Sequence, residues 1–364
     1  MAVTHRFQMS AHPSIYEYAE RELKVSFSYP EHGTNEQTGI LMLIPNYGQT
    51  SDSSMFLEAR GRIADDMNMI TIQCDYFGLE FMQGIQNPVL EIGVDELSRT
   101  LSKNHFDYVN QDNSINLNRL LEVGRHYPFH LRGKEVLNET KSNFNDMGLM
   151  QAVDLVSAVL GVMAILKDNQ FAFNHEKIVI SGAGHGAYLA YVCNAVAPRL
   201  FHQLIDYSGY LVSPYLAQPR YLSSTIGQMR LDVEFSYLVN QIDVDLELLR
   251  LPNLYRKFQN YCNIVSCQSV QQSSESNFSK AQFSNSILLS MQYEPASHIE
   301  ETYKQDSTKL IDYVLHNFKA EKINKSGVVL SSHSIVTPGY HYNFDCSSGM
   351  IIASRVKNVT SSNN

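Results

Sequence analysis

No pair among the five cysteines (Cys74, Cys193, Cys262, Cys267, Cys346) has C-x-x-C spacing, and their odd number and scatter leave neither a disulfide framework nor a zinc site. They read as reduced thiols. Cationic runs are missing too. With 28 Lys and Arg against 37 Asp and Glu the formal charge is −9, and no basic cluster is long enough to follow a phosphate backbone. Nucleic acid is therefore not an expected partner, and the same sign disfavours anionic membranes. The N-terminal Met-Ala-Val-Thr-His-Arg lacks an apolar signal core. The longest apolar run, around Leu155 to Leu166, is too short and too helix-patterned for a membrane span, so a cytoplasmic protein is expected. His175-Glu176 is not followed by the second histidine of a helical zinc motif, so neither a metal nor another cofactor is expected. Asn358-Val-Thr is a formal glycosylation sequon, read here as chance in a polar tail.

What the chain does have is enough apolar material for a large core: 364 residues, 44% hydrophobic and 18% charged. Apolar strands alternate with helical patterns, which implies βαβ units and a mostly parallel sheet. Leu23 to Tyr29 and Gly39 to Ile44 read as an edge hairpin leading into a buried strand, followed by helix Met55 to Met67 and strand Met69 to Cys74. Ile40 to Ile44 is the continuous apolar run of a strand covered on both faces. Residues 77–146 are polar, irregular and Asn-rich, and read as an insertion over the sheet. Helix Leu149 to Leu166, strand Lys177 to Ile180, helix Gly186 to Ala197 and strand Gln203 to Tyr207 resume the alternation. A second, lid-like insertion is expected over 213–285. It holds a helical pattern at Val239 to Leu251 and the Ser/Gln-rich stretch Ser269 to Asn277. Strand Ser286 to Met291, helix Thr308 to Phe318 and a last strand within Val328 to Val336 finish the sheet. The expected organisation is one domain over 1–364 interrupted by these two insertions.

The most informative stretch is Val179-Ile-Ser-Gly-Ala-Gly-His-Gly-Ala-Tyr-Leu-Ala190, where a strand runs through Gly182-x-x-x-Gly186 directly into a helix. That spacing is the G-x-S-x-G of a nucleophile elbow, with Gly184 at the nucleophile's place. The expected fold class is therefore α/β, an α/β-hydrolase-type doubly wound, mostly parallel sheet with two insertions over the strand carboxyl ends. Ser181 lies before the turn, on the strand, and reads as structural.

Ligands of such sheets bind at the carboxyl ends of the strands. Pro45-Asn46-Tyr47-Gly48 follows the strand ending at Ile44, from which one oxyanion-hole amide is donated; the second comes from the residue after the elbow vertex. Tyr47 and His185 are the expected donors. Glu294, just past strand Ser286 to Met291, fits the carboxylate that orients a histidine, and Pro338-Gly-Tyr-His341 presents a histidine in the right chain order. Asp206 is the alternative acid and His333 the competing histidine.

Gly182 to Ala190, Ala197-Pro198 with Leu204 to Ser208, Asn145 to Asp154 and Ile44 to Gly48 together resemble an uncharacterised bacterial α/β-hydrolase-like family. Its members are often encoded beside flagellin-modification and surface-glycan genes. The family's elbow usually reads Gly-Ser-Ser-His-Gly, and this chain departs from it at Ala183 and Gly184. The resemblance implies esterase, deacetylase or O-acyltransferase chemistry on a sugar or surface glycan. The departure implies a chain that has lost it, and a non-catalytic protein binding a small-molecule or glycan ligand is the alternative. Loss of a covalent nucleophile removes turnover while leaving binding largely intact.

Overall fold

The computed structural model describes residues 1–111, 114–269, 279–291, 311–317 and 330–358. Two compact units are present. The first comprises 1–82, 141–214 and 243–364. Its centre is an eight-stranded sheet built from β1 (Val3–Ser10), β2 (Glu22–Tyr29), β3 (Gly39–Ile44), β4 (Met69–Cys74), β5 (Ile178–Ala183), β6 (Gln203–Tyr207), β7 (Asn263–Ser269) and β8 (Ser286–Met291). The spatial order is β1-β2-β4-β3-β5-β6-β7-β8. The β1–β2 and β2–β4 pairs are antiparallel, and every pairing from β4 through β3 to β8 is parallel. This order and strand sense make the molecule an α/β-hydrolase fold.

Period-two alternation explains the two covered faces. In β3, Ile40, Met42 and Ile44 join a core with α2 (Leu149–Asp168) and α3 (His185–Val196). Leu41 and Leu43 point the other way, toward Ile63 of α1 (Ser54–Met67) and toward Ile311 and Val314. Each fully buried Leu, Ile or Val contributes roughly 1.5–3 kcal/mol, so both layers are held by the strand pattern itself. α2 is long and apolar enough to cross a membrane by length and composition, but it is the core helix here and 78% of its apolar stretch is buried. All five cysteines are buried thiols outside any disulfide.

Three expectations need correction. The strands at 22–29 and 39–44 do not pair as a hairpin, because β4 lies between them and β2 pairs with β1 instead. β1 is exposed along most of its length, and only Phe7 and Met9, on one face, pack against the core. The second excursion is shorter than 213–285, since it contains β7 of the main sheet. Ser266 and Gln268 are buried in β7 as polar residues, which masked its strand pattern. The last strand does not finish the sheet. β9 (His333–Val336), β10 (Tyr340–Asp345) and β11 (Ile352–Lys357) form a separate antiparallel sheet, in which Pro338-Gly339 is the tight turn of the first hairpin and Thr337 donates its N–H to Tyr340 O at 2.9 Å.

The second unit comprises 83–140 and 215–242. Its four-stranded sheet runs in the order Arg220–Ile226, Met229–Phe235, His130–Glu135, Pro88–Leu90. Met229, Leu231, Val233 and Phe235 are buried on one face, whereas Arg230, Asp232 and Glu234 project from the other. The sequence reading of 77–146 as irregular and of 213–285 as a lid-like excursion missed the sheet because charged outward positions alternate with the apolar ones and leave no continuous apolar run.

Candidate functional site

Strand register sets the site. Ile44 pairs with Gly182, Gly182 with Asp206, and Asp206 with Ser266, so the loops leaving β3, β5 and β6 begin at one level. The β5–α3 turn has Gly184 at φ 52° and ψ −114°. Its N–H donates to Tyr207 O at 3.0 Å, and its carbonyl accepts from Tyr188 N at 3.1 Å, opening α3. A side-chain-bearing residue held in such a conformation costs about 1–3 kcal/mol. Around the vertex the chain is packed too closely for side chains: a Cβ on Gly182 would lie 2.3 Å from the Gly186 carbonyl carbon, and one on Gly186 2.5 Å from Ile44 O.

The two expected amide donors converge. Tyr47 N–H and His185 N–H both donate to Asn46 Oδ1, at 2.8 and 3.0 Å. His185 is the first residue of α3, so its amide also carries the partial positive charge of a helix N-terminus. Together they form a two-donor cradle for an sp² oxygen, and the oxygen in it belongs to the chain itself. The Asn46 side chain fills the space over the vertex, where a Cβ on Gly184 would lie 2.7 Å from Oδ1. Asn46, Tyr47 and Gly184 are all partly exposed, so this corner is open to solvent.

Behind the cradle runs a buried polar chain. Asn145 Nδ2 donates to the Tyr47 hydroxyl, and Gln151 Nε2 donates to Asn145 Oδ1 at 2.9 Å. The Gln151 amide nitrogen is thereby the donor, which leaves Oε1 to accept from His185 Nε2 at 2.9 Å. The ring consequently carries its proton on Nε2. Burial pushes the His185 pKa down to about 3, because a charged imidazolium would lack solvation there. Nδ1 is then a bare acceptor, buried and without a partner among the described residues. The Tyr47 and Tyr188 rings flank the imidazole at 5.0 and 5.7 Å. Asp146, fully buried, accepts from Met150 N at 2.6 Å and Gly148 N at 3.2 Å and so caps α2. Desolvation outweighs those bonds and raises its pKa to about 6.

The remaining sequence candidates lie elsewhere. Ser181 is buried within β5, ahead of the turn. The Asp206 carboxylate is fully engaged: Oδ2 accepts from Ser266 Oγ at 2.6 Å, Lys280 Nζ at 2.7 Å and Tyr191 OH at 2.9 Å, while Oδ1 accepts from Gly209 N at 2.6 Å. Among the described residues no histidine is one of its hydrogen-bond partners. His333 Nε2 donates to Ala195 O at 2.9 Å, and its ring stacks on Phe344. His341 stands exposed on β10, facing solvent between Val336 and Val356, because the Pro-Gly turn belongs to a hairpin and not to a strand-end loop. Glu294 lies outside the described residues. Sequence reasoning missed Asn46, Gln151 and the buried Lys280, although Asn46 and Gln151 both sit inside the quoted resemblance segments, which meet at this corner.

The chain belongs to a family described as a protein of unknown function (DUF2920), whose profile matches residues 5–294. No curated protein matches it. Among solved structures it is similar to a dienelactone hydrolase from Anabaena variabilis, at 12% identity over 86% of this chain and 98% of that one, TM-score 0.41. It is also similar to an S-formylglutathione hydrolase from Agrobacterium tumefaciens, at 9% identity over 86% and 95%, TM-score 0.47. A third is Est1E from Butyrivibrio proteoclasticus, at 11% identity over 85% and 98%, TM-score 0.43.

Proposed function

We propose that this member of the family is a non-catalytic α/β-hydrolase-like protein that uses the inherited oxyanion cradle to bind a carbonyl or carboxylate oxygen. The observation that carries the reading is the convergence of Tyr47 N–H and His185 N–H, from two separate loops, on one sp² oxygen at 2.8 and 3.0 Å. A cradle of this kind stabilises acyl-transfer intermediates when a nucleophile stands beside it, and holds a carbonyl or carboxylate when none does. Covalent ester chemistry needs an activated hydroxyl or thiol at the vertex, and Gly184 has no side chain to supply one. The fully engaged Asp206 and the solvent-facing His341 point the same way. The ligand class fits the family resemblance: an acylated or carboxylated surface sugar presents the required oxygen.

The reading is tested by exposing the folded protein to a fluorophosphonate probe and to short-chain acyl esters. No adduct by intact mass and no turnover are expected. A stoichiometric adduct at any serine, Ser181 above all, would overturn the reading.

A further inference from the structure

The cradle is already occupied, and by a group that resembles its ligand. Asn46 Oδ1 is a planar amide oxygen, seated where a bound carbonyl or carboxylate oxygen would sit. The side chain is partly exposed, so it has a path into solvent. Its backbone is held independently: Asn46 N–H donates to Gln49 Oε1 at 3.1 Å, and Gln49 N–H donates to Asn46 O at 3.1 Å. The side chain can therefore leave without dismantling the loop. What it would vacate is the volume over Gly184, which a Cβ cannot enter while Asn46 is in place.

We propose that Asn46 is a displaceable internal ligand, which competes with external carboxylates for the Tyr47 and His185 amides. The proposal rests on the cradle being the binding site. It adds that the resting site is closed by its own side chain, and that the group able to open it is anionic. A neutral amide oxygen offers the two donors no more than Asn46 already gives. A carboxylate adds charge-assisted bonds at a helix N-terminus, and such bonds are roughly twice as strong as neutral ones. Carboxylate-bearing ligands therefore displace Asn46 where neutral acetamide groups do not.

The test follows the backbone amide signals of Tyr47 and His185 by heteronuclear NMR while sodium acetate, or acetamide, is added to three proteins. In Asn46→Ala the competitor is gone, and the acetate Kd is expected to fall about tenfold relative to wild type, equivalent to about 1.4 kcal/mol. In Asn46→Asp the internal ligand is itself a carboxylate, and acetate affinity is expected to drop below that of wild type. Acetamide should move the two signals in Asn46→Ala and leave wild type unchanged. Equal acetate affinity in wild type and Asn46→Ala, with both signals responding, would overturn the internal-ligand proposal and leave the binding site standing. No response of either amide in either protein, with their spectra otherwise native, would overturn both. The opposite directions expected for the alanine and aspartate variants separate competition from a general loosening of the loop.

Discussion

Placing a side chain on Gly184 separates the backbone geometry of the turn from the occupancy of the cradle. In Gly184→Ala the new Cβ sits at φ 52°, ψ −114°, a strain of about 1–3 kcal/mol, and lies 2.7 Å from Asn46 Oδ1. Asn46 must swing away, giving up two amide hydrogen bonds with a net value of about 0.5–1 kcal/mol each. The expected loss of stability is about 2–5 kcal/mol. Asn46→Ala alone removes the same two bonds and costs about 1–2 kcal/mol. In the double variant the methyl on residue 184 no longer meets the amide, so only the backbone strain is added. The two costs then fall short of additivity by about 1–2 kcal/mol, well above the few tenths expected of independent sites. Urea unfolding followed by tyrosine fluorescence reads this directly, because the chain has 21 tyrosines and no tryptophan. Additive costs within about 0.5 kcal/mol would refute the contact between Asn46 and the vertex.

Three other outcomes follow from the buried charges. Lys280 and Asp206 are both fully buried and 2.7 Å apart, so Lys280→Met, which strands the carboxylate, should cost about 3–5 kcal/mol, while Lys280→Met with Asp206→Asn should cost much less; a mild effect of the single change would contradict the buried pair. His185, whose folded pKa lies far below the unfolded value near 6.5, adds stability that is complete above that value and is lost as pH falls toward 3. Its ring signals should accordingly stay those of a neutral imidazole from pH 8 down to pH 5, and an inflection near 6.5 would disprove the burial. Asp146 runs the opposite way: its folded pKa is raised to about 6, so its contribution is complete below about pH 4 and is lost as pH rises through 6. Between pH 4 and pH 7, Asp146→Asn should gain up to about 3 kcal/mol on wild type, and a difference that does not change with pH would refute it.

The sheet was legible where side chains facing both layers are apolar, as in Ile40 to Ile44 and Val179-Ile180, and where glycine spacing marks the elbow. β1 was not, because an exposed edge strand buries little. Nor was β7, where Ser266 and Gln268 are inward and polar because they complete the Asp206 network. At the site, the meeting of the Tyr47 and His185 amides was legible because both residues directly follow strand ends at the vertex. Asn46 was invisible: nothing in Pro-Asn-Tyr-Gly tells whether the amide faces solvent or turns back on its neighbour's N–H. Gln151 was hidden in a helical pattern in which a buried polar residue looks like any other polar residue. His341 misled because a Pro-Gly turn looks alike whether it closes a hairpin or ends a sheet strand.

Two backbone amides from separate loops meet at one oxygen beside a vertex without a side chain. The most direct test of this meeting is a crystal structure of the protein grown in the presence of acetate. Tyr47 N and His185 N should share a single acceptor, Asn46 Oδ1 or an acetate oxygen, at about 2.7–3.2 Å from both. Amides that diverge to separate acceptors, or acetate bound elsewhere with the Tyr47 and His185 amides turned away from each other, would show that no such oxygen site exists.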